Sequence, residues 1–286
     1  MTRYALNPAM PVLSRPDGMV QVGWDPRRAV LVRPPAGMTT AALRDLLRAL
    51  HAGATVEQVQ ELAACADATA VSDLIAALVD AGVVKAIPRP RTRAASIRIH
   101  GRGPLSDLLA GALRCSGARI KQSSQSHAGV AVESTDLVVL SDSLVADPRM
   151  LRDLHAASIP HLPVRVRDGS GLVGPLVVPG MTSCLRCADL HRSERDAGWP
   201  AIAAQLRDTV GTADRATVLA TAALALNQVD RVIAAVRCGV GLNDAPQPPS
   251  TLDTSLEFDV TTGSTVARRW TRHPQCTQCT QCAGRK

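Results

Sequence analysis

Residues 135–142 read Thr-Asp-Leu-Val-Val-Leu-Ser-Asp, and the fold turns on how this stretch is taken. Four consecutive apolar residues leave no polar face for water, the pattern of a strand buried on both sides. Such a strand needs helices above and below it, so its neighbours in sequence should alternate between strand and helix. Upstream, Ser96–His100 reads as a strand running into Gly101-Arg102-Gly103. A helix through Cys115 and a second strand at Ala118–Gln122 follow. Downstream come a helix at Pro148–Ala157, a strand at Ile159–Val166, and a strand at Leu172–Val178 closed by Pro179-Gly180. The longest helical pattern, Asp214–Val236, is apolar on most faces, which predicts a place inside the domain. A last β pair, Leu256–Asp259 and Thr265–Trp270, turns around Thr262-Gly263. The expectation is an α/β domain over residues 96–286, with a parallel sheet and helices on both faces.

The first 88 residues read differently. Val20–Val32 carries two short β-type runs around Asp25-Pro26-Arg27-Arg28, a hairpin signal. Helices are predicted at Thr39–His51, with Leu43, Leu46, Leu47 and Leu50 on one face, at Thr55–Ala64 behind a Thr55/Gln58 capping box, and at Asp67–Ala81. Val83–Ile87 returns as a strand. Hairpin, three helices and a closing strand make a small winged-helix-like unit. The Pro/Arg stretch at 89–95 reads as a linker.

Composition narrows the function. Net charge is +7, but residues 1–88 hold eight basic and eight acidic side chains, so the surplus begins at the linker. With aromatics at 2%, the chain lacks the stacking platforms and the concentrated basic face of a nucleic-acid binder. No apolar run after Met1 predicts a signal peptide, and no eighteen-residue apolar stretch predicts a membrane span. The expected compartment is the cytoplasm, where cysteines in CxxC spacing are metal ligands more often than disulfides.

Two such spacings are present: Cys184-Leu-Arg-Cys187, and Cys276-Thr-Gln-Cys279-Thr-Gln-Cys282. Four thiolates suit the tetrahedral preference of structural zinc and leave no open position for a catalytic water. Cys184, Cys187, Cys276 and Cys279 form the expected set, with Cys282 as the alternate to Cys279. Cys65, Cys115 and Cys238 lie in apolar helical contexts and are expected in the core. Gly101-Arg102-Gly103-Pro104-Leu105-Ser106 resembles a GxGxxG phosphate turn with Ser at the third glycine; the plainer reading is a tight strand-to-helix turn. Asp136 and Asp142 bracket the buried strand and suit either a magnesium–ribose role or turn and capping roles. His191, Glu194 and Asp196 offer a trio after the first cysteine pair, and His273 a donor behind the metal.

Gly174-Pro-Leu-Val-Val-Pro-Gly180, Cys184-Leu-Arg-Cys187-Ala-Asp-Leu-His191-Arg, Asp196-Ala-Gly-Trp199-Pro200, Arg269-Trp270 and His273-Pro274-Gln275-Cys276 together resemble the ThiF/ubiquitin-activating-type proteins of actinobacteria. More narrowly they resemble the subset found with cyclodehydratases of thiazole/oxazole-modified microcin pathways, whose N-terminal domain also opens like Leu6-Asn7-Pro8-Ala9 and Val20–Pro26 here. The resemblance implies a leader-peptide-binding, winged-helix-like domain joined to a Rossmann-like adenylating-enzyme domain with four-Cys zinc. It implies a precursor peptide and a YcaO-type cyclodehydratase as partners, and leaves a homodimer open. In the ATP-using relatives, Gly101, Gly103 and Asp142 would face ATP and magnesium. Here Ser106 replaces the third glycine, Asp142-Ser143 the usual Asp-Asn, and no Asn-Arg-Gln stretch follows the second strand. The leading expectation is therefore a peptide-recognition and scaffold subunit with no independent catalysis. The rival is an ATP-dependent adenylyltransferase activating a C-terminal carboxylate. Peptide capture is expected by strand addition beside the hairpin, against the helix at Asp67–Ala81.

Overall fold

A computed structural model of the chain describes residues 2–63, 67–87, 93–124 and 135–279. The chain forms two compact units, Met1–Arg91 and Thr92–Lys286. The first runs β1 (Arg3–Leu6), β2 (Val12–Ser14), β3 (Val20–Val22), β4 (Val30–Val32), α1 (Thr40–Ala49), β5 (Ala54–Thr55), α2 (Val56–Leu62), α3 (Ala68–Asp80) and β6 (Val84–Ile87). Helices α1 and α2 start where their caps put them. Thr39 accepts from the Ala42 amide at 3.1 Å, and Thr55 and Gln58 close the capping box at 3.3 and 3.0 Å. Leu43, Leu46 and Leu47 on α1 and Val71, Leu74, Ile75 and Leu78 on α3 face one core. The first helix stops at Ala49, short of His51: a single 3-10 turn, Leu50–Ala52, leads into Gly53 at φ 77°.

The expected hairpin forms as β3–β4, with Val22 opposite Val30. Three strands were not expected, β1, β2 and β5. Each is too short to show a period of its own and is set by a partner strand: β1 pairs with β6, Leu6 opposite Val84, β5 joins β1, and β2 joins β3. The unit thus holds two three-stranded sheets, β5-β1-β6 and β2-β3-β4. The second packs on α1, while α3 packs beside β6.

The second unit runs β7 (Ser96–His100), α4 (Pro104–Leu113), β8 (Arg119–Ser123), β9 (Leu137–Ser141), α5 (Pro148–Ala156), β10 (His161–Arg167), β11 (Ser170–Val173), α6 (Leu185–Arg195), α7 (Trp199–Leu206), α8 (Arg215–Cys238), β12 (Thr254–Asp259) and β13 (Ser264–Arg269). Its seven-stranded sheet has the order β13-β12-β11-β10-β9-β7-β8. The strand read as doubly buried is β9, at the sheet's interior. Leu137 and Val139 enter a core shared with α4 and α8, and Val138 and Leu140 enter one shared with α5 and the cysteines.

The sheet is only partly parallel. β8, β7, β9 and β10 run parallel, whereas β11, β12 and β13 are antiparallel additions. The cause is local. Asp168 and Gly169 alone join β10 to β11, at φ 50° and 81°, and a two-residue link of that hand can only make a hairpin. The expected strand through Val178 ends early, at Val173. Gly174 takes φ 93°, Pro175 has no amide to donate, and Leu176 and Val177 form only isolated bridges. The helix α8 also lies less deep than expected. Ten of its residues, among them Thr217, Thr221 and Gln228, pack into the unit, while Leu219 is 45% exposed. By length and composition α8 is apolar enough to cross a membrane, but its buried face lies on this sheet.

Candidate metal centre and the Gly101–Asp142 turn

The two cysteine pairs meet by way of helix starts. Cys184 is the N-cap residue of α6, and Cys187 lies in its first turn. Cys276 likewise precedes a helical stretch at 277–279 that carries Cys279. Each pair therefore sets its sulfurs against free amides and the positive end of a helix dipole, which favours thiolate. Cys184 lies 3.5 Å from Cys276 and 3.7 Å from Cys187, and Cys187 lies 3.4 Å from Cys279. All four sulfurs are within 4.8 Å of one another and buried. Sulfurs around a tetrahedral ion with metal–sulfur bonds near 2.3 Å should sit roughly 3.8 Å apart. A disulfide would bring them to about 2.05 Å, and all four are free thiols. The hydrogen bond from Cys184, then that from Cys279, holds the Cys187 thiol far below its ordinary range. That same contact with Cys187 pushes Cys184 upward. Four buried sulfurs at these separations could hold a metal ion.

Cys279 is thus brought together with the other three; Cys282 and Cys65 lie outside the described residues. The other two cysteines depart from expectation. Cys115 is exposed and Cys238 half-buried, because both fall at helix ends, where the apolar stripe has run out.

Beside this cluster, His273 presents its Nε2 to Glu194 at 2.8 Å, and the His191 and His273 rings meet edge to face at 4.7 Å. His191, Glu194 and His273 have ligand atoms close enough to hold a metal themselves. Asp196 is not part of that group: it accepts from the Gly198 amide at 2.9 Å and shapes the turn into α7. The His273 ring points at Glu194 and not at a sulfur. It is the main chain of His273 that favours the Cys187 thiolate and takes the Cys276 amide at 3.0 Å.

The glycine turn is built around a carboxylate. Asp142 follows β9 in the left-handed region, φ 71°, and is buried. It accepts from the amides of Leu105 at 2.9 Å and Ser106 at 3.1 Å, and from the Ser106 hydroxyl. Those amides are the free donors in the first turn of α4, the groups that would bind a phosphate. The protein fills that position itself. The glycines follow from the same packing. A Cβ on Gly101 would lie 2.3 Å from the Ser141 carbonyl, and one on Gly103 would lie 2.6 Å from Asp142 Oδ1. With its oxygens and the helix amides spent on one another, this turn does not fit an ATP–magnesium role. Asp136 is also structural, accepting from the Ser96 amide at 2.8 Å and pairing with Arg93.

One functional candidate was missed in the sequence. Arg165, at the middle of β10, is buried between Val164 and Val166. The signal was there: in His-Leu-Pro-Val-Arg-Val-Arg the alternation sets His161, Arg165 and Arg167 on one face, opposite Leu162, Val164 and Val166, in a strand that the sheet buries.

No protein-family model matches this chain, and no curated protein matches it. Solved structures do. The heterocyclase TruD superposes with a TM-score of 0.65 at 18% identity, over 98% of this chain and 43% of its own. MccB of E. coli with ATP gives 0.58 at 13% identity, over 97% of this chain and 99% of MccB. The microcin C7 biosynthetic enzyme MccB in complex with N-formylated MccA gives 0.57 at 14% identity, over 97% of this chain and 99% of that one. These likenesses show a shared fold. This chain spans less than half the length of TruD.

Proposed function

We propose that this chain is a zinc-stabilised peptide-recognition and scaffold subunit of a peptide-modifying, cyclodehydratase-type system. One observation carries the reading: over 98% of its length the chain shares the fold of a part of the heterocyclase TruD. The cyclising chemistry is assigned to a YcaO-type partner. Residues 1–88 are then the winged-helix-like peptide-binding domain, 89–95 the linker, and 96–286 the zinc-bearing domain, working in the cytoplasm. Zinc is chosen on donor chemistry, since four thiolates at these separations are a closed structural set.

A bound leader would extend β2-β3-β4 at one of its free edges, β2 or β4. Leu13 and Leu31, exposed on those strands, offer apolar contacts, and Trp24, 78% exposed, lies in the hairpin loop between β3 and β4. The helix behind this sheet is α1, so the docking helix is moved there from α3.

The adenylyltransferase reading draws support from the likeness to MccB, and is weakened by the Asp142 cap. Peptides tiled along any small precursor encoded beside the gene, titrated against the full chain, test the leading reading. Binding with slowed amide exchange in β2 or β4 supports it. Failure of every peptide, together with robust ATP–pyrophosphate exchange by the purified chain, would overturn it in favour of the adenylyltransferase.

A further inference from the structure

A cleft of about 470 Å³ opens in the second unit between strands β10 to β13 of the sheet and helices α6 and α7. Its charged lining is unequally provided for. Arg192 pairs with Asp189 at 2.9 Å and lies over two indoles, 5.0 Å from the Trp199 ring and 5.1 Å from that of Trp270. Asp189 also takes the Trp199 Nε1 hydrogen at 3.2 Å. Arg167 and Arg268 share Glu257, at 3.0 and 3.2 Å. Asp168, the remaining carboxylate of the lining, is 93% exposed.

Arg165 has no partner in contact. Its side chain lines the cleft and is 8% exposed, yet it makes no hydrogen bond or ion pair among the described residues. Burial, and then the neighbouring Arg192 and Arg167, push its pKa down to about 10 against the pull of Asp189, which is itself paired with Arg192, so Arg165 is still a cation at neutral pH. Lining charges sum to five arginines against three carboxylates, and both well-placed carboxylates are already engaged. A buried guanidinium with no carboxylate in contact is unfavourable, and its planar fork matches a carboxylate in two-point contact. The other walls are apolar, with Leu172, Leu185 and Leu206 beside the two tryptophans.

We propose that this cleft is a binding site for a carboxylate carried on an apolar body, with Arg165 as the counter-ion and the Trp199 and Trp270 walls taking the body. The cleft lies wholly in the second unit and needs nothing from peptide capture in the first. A free aryl or alkyl acid and an acidic residue flanked by apolar ones in an extended peptide present the same chemistry.

The full chain, carrying Trp24→Phe so that emission reports Trp199 and Trp270, is titrated with 4-phenylbutyrate, 4-phenylbutyramide, inorganic phosphate, and acetyl-Leu-Glu-Leu-amide beside its Gln counterpart. The expected result is saturable quenching and a raised melting midpoint with the acid or the Glu peptide, at least tenfold weaker with the matching amide. Whichever acid binds names the source. Arg165→Met should abolish the ligand-dependent shift while raising the midpoint without ligand, because it removes an unpaired buried charge. Equal binding of acid and amide, binding of neither acid, or undiminished binding by Arg165→Met overturns the proposal. Phosphate as tight as the acids overturns it too, since the apolar walls would then contribute nothing. The acid–amide comparison on the chain with native Arg165 decides the matter even if Arg165→Met does not fold.

Discussion

The carboxylate of Asp142 accepts the backbone amide of Ser106 at 3.1 Å, across thirty-six residues of sequence. A strand end thereby caps a helix that begins two elements earlier, and the position open to phosphate in a nucleotide turn is closed. Asp142→Ala should lower the stability of the second unit by about 2–3 kcal/mol, having stranded two buried amides. Gly101→Ala should lower it by about 1–3 kcal/mol, through overpacking against Ser141. Urea midpoints measured without nucleotide check both. An unchanged midpoint in either variant removes the packing account of the turn.

Metal content separates the four-Cys set from its alternate. Cys184→Ser, Cys276→Ser and Cys279→Ser should each lose the single equivalent per chain, while Cys282→Ser keeps it. Elemental analysis of the purified variants reads this directly. A Cys279→Ser protein with full metal would move the fourth ligand to Cys282.

Acid should weaken the fold through His161. Its ring is fully buried, with Nδ1 on the Ile159 carbonyl at 3.1 Å and Nε2 without a partner, and burial lowers its pKa to about 3. The native state thus holds the neutral ring, whereas the unfolded chain protonates near 6.5. The stabilisation is complete above pH 6.5 and is lost as pH falls toward 3. Between pH 6.5 and 5 the loss is at most about 2 kcal/mol. His161→Phe should flatten that limb relative to wild type in urea titrations at each pH. Parallel pH profiles would show that the ring does not carry it.

Gln228 clamps α8 to the segment before β12. Its Oε1 takes the Thr251 hydroxyl at 3.1 Å, the Thr251 amide at 3.3 Å and the Ser250 hydroxyl at 3.2 Å. Gln228→Leu keeps the bulk and strands a buried amide, so a loss of about 1–3 kcal/mol is expected in denaturant unfolding. Gln228→Glu, which restores the acceptor, should recover part of it.

What could be read in advance was what short-range pattern dictates. The Thr55/Gln58 box, the Leu43–Leu47 face and the apolar run of β9 each announce themselves within a few residues. The two CxxC spacings named the four cysteines that the fold gathers, because thiolate chemistry constrains spacing more than fold does. The failures are long-range. β1 exists because β6 returns beside it, and nothing in Arg-Tyr-Ala-Leu says so. The strand direction reverses at Asp168-Gly169, which lies in the gap between two strands read separately and taken as part of a parallel sheet. Asp142 had two readings on paper, and only the approach of Leu105 and Ser106 selects the cap.

The cysteine pairs join two points ninety-two residues apart, Cys184 to Cys276 and Cys187 to Cys279. A metal held by all four would make a ring of everything from α6 through β13. The unfolded chain would forfeit the freedom of that loop, which for a covalent link of similar span is worth about 4–5 kcal/mol. Stripping such a metal would cut the ring open. The chelated protein should then yield to protease first in the stretch between α6 and α8, at a rate set by thiol occupancy.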